Sequence, residues 1–191
     1  MKPLTKLTTV ASFILWSHLP AQLVDIPGLR DALVELEIRA TKTNQTRFFE
    51  LFPNSFESFE ATFGYSGEQY GPLYDGHEYV VKFFSLDSVP ELDQFTKWVD
   101  ISIGGKWSAD AVNYFLHDLR PRILSNAELT YEVLSERRSE DVESFFYFFF
   151  HEIHPQFEEI PEEFDLIKDR DQRIYGCLVR GHERALRDSG H

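Results

Sequence analysis

The chain has 191 residues, a net charge of −13 and a single cysteine, Cys177. That length buries a sizeable core without metal or disulfide support and is read as one domain, residues 1–191; the lone cysteine excludes an internal disulfide and fits a reducing compartment. The acidic balance disfavours nucleic acid and anionic membrane as partners, because neutralising phosphate needs Lys and Arg. It favours a basic protein partner and salt-sensitive association, or it serves solubility alone.

The charge is uneven. Residues 1–50 carry +1, residues 51–138 carry −7, residues 139–171 carry −9 and residues 172–191 carry +2. Lys2 and Lys6 precede an apolar run over residues 10–16 that superficially resembles a short signal peptide. No small-x-small cleavage site follows it, so a strand over residues 6–17 and a cytoplasmic address are expected. No segment is long enough to span a membrane.

In chain order, Pro20 and Pro27-Gly28 punctuate a loop. Leu29, Leu33 and Leu36 with Val34 and Ile38 give a helical stripe over residues 28–41. Residues 41–46 are polar and read as a loop. Ser55 caps a short helix carrying Phe56, Phe59 and Phe63 and ended by Gly64. Residues 65–76 form a long Gly- and Tyr-rich loop, whose tyrosines suit either protein recognition or their own packing as a turn.

Residues 78–86 read as a strand. Ser88 caps a helix with Val89, Leu92, Phe95 and Val99, and residues 100–103 alternate as a strand before Gly104-Gly105. Ser108 caps a helix with Ala111, Val112, Phe115, Leu116 and Leu119, ended by Pro121. Residues 129–134 fit a strand or a helical turn. The six consecutive aromatics Phe145 to Phe150 fit a central strand covered on both faces. The last helix carries Ile174, Cys177, Leu178, Gly181, Ala185 and Leu186 at helical spacing. Strands interspersed with helices, without regular β-α-β spacing, give an α+β fold with a mostly antiparallel sheet and helices packed on it.

After the aromatic run the character reverses. Residues 152–165 hold Glu152, Glu158, Glu159, Glu162, Glu163 and Asp165 and no Lys or Arg. Such an acidic ledge can occupy the place that phosphates take on a basic nuclease, or it is a solvated loop face. Glu158, Glu159, Glu162, Glu163 and Asp165, with Tyr65, Tyr70 and Tyr74 of the tyrosine loop, are the candidate partner-binding residues.

Catalytic motifs are weak. In His151-Glu152-Ile153-His154 the histidines are three apart, not four as on a zinc-protease helix, and Pro155 follows at once. A metal-dependent hydrolase using His151, Glu152, His154 and Asp169 or Asp171 is the alternative reading. Asp171 is read more strongly as a helix cap. Gly104-Gly105-Lys106-Trp107-Ser108 lacks the spacing of a phosphate loop. Cys177 reads as a buried inert thiol. No cofactor is expected, and no nucleophile, base and oxyanion donor assemble.

Three stretches together resemble a family: Tyr79-Val-Val-Lys-Phe-Phe-Ser-Leu86, Trp98-Val-Asp-Ile-Ser-Ile-Gly-Gly-Lys-Trp-Ser-Ala-Asp-Ala-Val-Asn-Tyr-Phe115 and Ser144-Phe-Phe-Tyr-Phe-Phe-Phe-His-Glu-Ile-His-Pro155. They resemble immunity proteins of bacterial polymorphic toxin systems, nearest to the α+β family called immunity protein 52. The resemblance implies a cytoplasmic antidote, a monomer or weak dimer without catalysis. It would bind a cognate toxin, a DNA-targeting nuclease effector of the kind delivered by type VI secretion. A third reading is a regulatory adaptor.

Overall fold

The computed structural model describes residues 24–66 and 69–189. The chain is mostly helical, not α+β. Among the described residues ten α-helices follow in order: α1 Ile26–Ile38, α2 Lys42–Leu51, α3 Phe56–Phe63, α4 His77–Phe84, α5 Glu91–Ser102, α6 Ala111–Ser125, α7 Ala127–Ser135, α8 Ser139–Phe150, α9 Asp165–Arg170 and α10 Gln172–Asp188. Between α3 and α4 lies a small antiparallel hairpin, β1 Tyr65–Ser66 with β2 Gln69–Tyr70, in which Tyr65 pairs with Tyr70 and Ser66 with Gln69. The strand expected over residues 6–17 lies outside the described residues.

Local chemistry sets the first helices. The Asp25 carboxylate accepts from Gly28 N–H at 3.0 Å, and Pro27 fits the first turn of α1. Leu29, Ala32, Leu33 and Leu36 then face inward. Thr41 accepts from Asn44 N–H at 3.2 Å, so the polar stretch expected as a loop opens α2 instead. Within α2 the buried Gln45 accepts from the N–H groups of Asp87 and Ser88 at 2.8 and 2.9 Å, fastening the α4–α5 connection. Ser55 caps α3 as expected, in a reciprocal box with Ser58.

Two expected strands are helices, as is the stretch over residues 129–134 that fits a strand or a helical turn, and the spacing of the buried residues shows why. In α4, Tyr79, Val80, Phe83 and Phe84 are buried while Val81 is 48% exposed. A strand would have buried Tyr79, Val81 and Phe83 together. Residues 100–102, expected as strand, finish α5, where Trp98, Ile101 and Ser102 continue one helical face. The stretch over residues 129–134 belongs to α7, whose first turn is capped by the Asn126 side chain on Leu129 N–H at 3.2 Å. Ser88 and Ser108 do not cap: α5 starts after Pro90 and α6 after Asp110. Pro121 does not end α6, which runs on to Ser125 with the proline on its exposed side.

The aromatic run is the core helix, not a central strand. All six residues from Phe145 to Phe150 are buried on α8, none more than 8% exposed. A helix that is apolar all round is stable only when other elements enclose it, and here they do. Phe148 meets Phe56 of α3 and Phe115 of α6 at ring-centroid distances of 5.6 and 6.2 Å. Phe164 sets its ring edge against Phe146 and Phe149 at 5.5 and 5.7 Å.

Two glycines allow this enclosure. Gly181 of α10 lies against the α8 backbone so closely that a Cβ there would sit 2.8 Å from Glu143 O, Phe146 Cβ and Tyr147 N. A Cβ on Gly105 would meet the Phe148 ring at 2.5 Å. The Gly104-Gly105 segment therefore serves packing: Gly104, at φ 81°, donates its N–H to Ser144 Oγ at 2.8 Å. No described helix is long and apolar enough to cross a membrane.

Candidate interaction surface

The acidic segment is fixed to the core by its own aromatics. Phe157 stacks on Phe149 at 5.8 Å and sets its edge to Phe150 at the same distance. The Phe157 carbonyl lies 3.0 Å from Nε2 of the buried His182 on α10. Seven residues on, Phe164 is fully buried at the end of a 3₁₀ turn, Glu162–Phe164, that leads into α9. Between and beside these anchors Glu158, Glu159, Glu162, Glu163 and Asp165 are all exposed.

What separates these five acids from the rest of the surface is their density: they lie within eight residues, in a segment over residues 152–165 that holds no Lys or Arg. Some acids elsewhere are neutralised by arginines: Arg180 holds Glu143 at 2.7 Å, Arg137 holds Asp100 at 2.8 Å, Arg138 holds Asp141 at 2.9 Å and Arg170 holds Glu128. Glu158, Glu159, Glu162, Glu163 and Asp165 have no ion pair with any described residue.

Glu152, first of the acidic run, is different. It is largely buried and bonded to Arg120 Nη1 at 2.7 Å. Arg120, on α6, also donates from Nε to the carbonyl of Phe149 at 2.9 Å, an orphan acceptor at the end of α8. Sequence reasoning missed this pair: the partners are 32 residues apart and nothing in either neighbourhood marks them. Together with Pro121, Phe157 and Gln156 they line a cleft of about 460 Å³.

The tyrosines form a second surface. Tyr65, Tyr70 and Tyr74 pack on one another at 4.8, 4.5 and 6.5 Å, with Tyr65 and Tyr70 48% and 64% exposed. Tyr74 donates its hydroxyl to Asp110, and this hydrogen bond, which ionisation would break, raises the phenol's pKa to about 12, with burial and the Asp110 charge adding to it. Asp110 sits at φ 61°, unusual for a residue with a side chain, and this bond accompanies that backbone. The hairpin borders an open groove of about 720 Å³ with Asp75, Glu78 and Arg30 at its walls. On α6, Tyr114, 44% exposed, stacks with His77 of α4 at 5.3 Å.

The histidine motif does not assemble. His151 ends α8, its Nδ1 accepts from Trp107 N–H at 3.1 Å, and its ring stacks on Tyr147 at 4.8 Å. Burial lowers its pKa, with Asp188 opposing. His154 is exposed beyond the helix. No group of three or more His, Cys, Asp or Glu among the described residues could hold a metal ion. Asp171 accepts from the N–H groups of Arg173 and Ile174 at 2.9 and 3.1 Å, the cap expected for α10, while Asp169 is exposed. Cys177 is fully buried, with Arg180 Nη2 3.2 Å from its sulfur.

No protein family, curated protein or solved structure matches this chain.

Proposed function

We propose that this chain is a non-catalytic inhibitor that captures a basic protein, acting as an immunity protein does toward a nuclease toxin in the cytoplasm. One observation carries the reading. Five exposed acids without ion-pair partners are concentrated over residues 158–165, in a segment that holds no Lys or Arg. Unpaired like charges repel, so a rigid cluster of them is an electrostatic cost in the free protein. A partner presenting Lys and Arg relieves that cost and associates faster through long-range attraction. A nuclease that holds DNA phosphates carries such a surface. The α+β architecture of the resembled family is not part of this proposal, because the chain is helical. The hydrolase alternative draws no support from the geometry, since His151 Nδ1 is engaged by Trp107 N–H and no group of three or more His, Cys, Asp or Glu able to hold a metal ion is found among the described residues.

The test is affinity capture of the tagged protein from its native lysate at low salt, with mass spectrometry of what it retains. The expected result is one stoichiometric basic protein with a nuclease or other toxin domain, released as salt is raised. Retention of nothing, from cells shown to express the neighbouring genes, contradicts the proposal.

A further inference from the structure

The acidic segment and the tyrosine hairpin lie far apart in sequence, yet one helix touches both. Asp110, at the start of α6, receives the Tyr74 hydroxyl, and Tyr114 one turn on stacks with His77. Farther along, Asn113, His117 and Pro121 line the cleft whose opposite wall is Glu152, Gln156 and Phe157 of the acidic segment. At 100° per residue, Asp110, Asn113, Tyr114, His117 and Pro121 fall in a stripe roughly 100° wide on α6. All five are exposed, and the opposite side of the helix is buried through Val112, Phe115, Leu116 and Leu119. From Asp110 to Pro121 the stripe runs roughly 17 Å.

We infer that this outer face of α6 joins the tyrosine hairpin and the acidic segment into one docking surface for a single basic protein partner. The inference rests on the proposed function and adds where the partner sits. One feature favours one partner over two. The composition changes along the surface as it does across an interface: tyrosines at one end supply rigid contact area, and unpaired carboxylates at the other supply charge complementarity. The cationic occupant follows from Asp75, Glu78 and the five unpaired acids, which give both ends the same sign despite Arg30 in the groove.

The probe is a dodeca-arginine peptide, which reaches about 40 Å when extended and so spans both ends. It is titrated into isotopically labelled protein at low salt and followed by amide NMR shifts. The expected outcome is one peptide per protein, with shifts at Tyr70 and Tyr74, at Asn113 and His117, and over residues 158–165 together. A variant combining Asn113→Arg with His117→Arg, both at exposed positions, weakens that binding by about tenfold, because like charges face across the contact. Shifts confined to residues 158–165, with affinity untouched by the variant, overturn the single surface and leave the acidic capture reading standing. Absence of binding at low salt overturns both.

Discussion

Phe149→Ala should destabilise the protein by about 3–5 kcal/mol, the range for deleting a buried aromatic ring. Phe149 is fully buried on α8, and its ring meets Phe145, Phe150, Phe157 and Phe164. Four aromatic neighbours cannot all collapse into the space, so both lost burial and a residual cavity count. Two of those neighbours, Phe157 and Phe164, anchor the acidic segment. The variant should therefore loosen residues 157–164 before it unfolds globally. Denaturant titration reads the first effect, and amide hydrogen exchange reads the second. A loss below about 1 kcal/mol, in the range of surface substitutions, would mean that α8 is not the enclosed core helix.

The second large effect is Arg120→Ala, expected to cost about 3–5 kcal/mol, because it strands a mostly buried carboxylate at Glu152. It also removes the donor that Phe149 O receives at the end of α8. The double variant, Arg120→Met with Glu152→Met, should be far less damaging than the two single changes added together, since apolar side chains of similar length can replace a buried pair. Thermal or denaturant melts of the three variants give the coupling. Additive losses would show that the two residues act independently.

How much of this was legible in the sequence differs between elements. Local signals held: Ser55 capping α3, Asp171 capping α10, and the leucine stripe of α1. They depend on groups three or four residues apart, which a sequence displays directly. The aromatic run is a helix and not the expected strand, a difference hidden in the sequence because a fully enclosed helix and a fully covered strand both read as uninterrupted apolar residues. Its surroundings decide between them, and Gly181 and Gly105 lie more than 30 residues away from it. Residues 78–86 were a different failure. Burial at Tyr79, Val80, Phe83 and Phe84 is helical spacing, and β-branched and aromatic content outweighed it.

For the site, the charge pattern marked the acidic segment, and its exposure agrees with that pattern. What the pattern could not give was which acids elsewhere are paired, since Arg137–Asp100, Arg170–Glu128 and Arg180–Glu143 each join residues far apart in the chain. Nor could it separate Glu152 from its neighbours, although Glu152 belongs to the core and the others to the surface. Tyr114 was the one readable sign of the α6 face: an aromatic on the polar side of an amphipathic helix is an exposed anchor.

The central claim is that the unpaired acids attract a basic partner. Its most direct test is the salt dependence of binding to the captured protein, for the native chain and for a variant with Glu158, Glu159, Glu162 and Glu163 all changed to Gln. These side chains are exposed, so the variant should fold with unchanged melting. The account predicts affinity lower by tenfold or more at low salt and a clearly flatter dependence of log Kd on log salt. Equal affinity and equal slope for the two proteins would contradict it and remove the acidic segment from the interface.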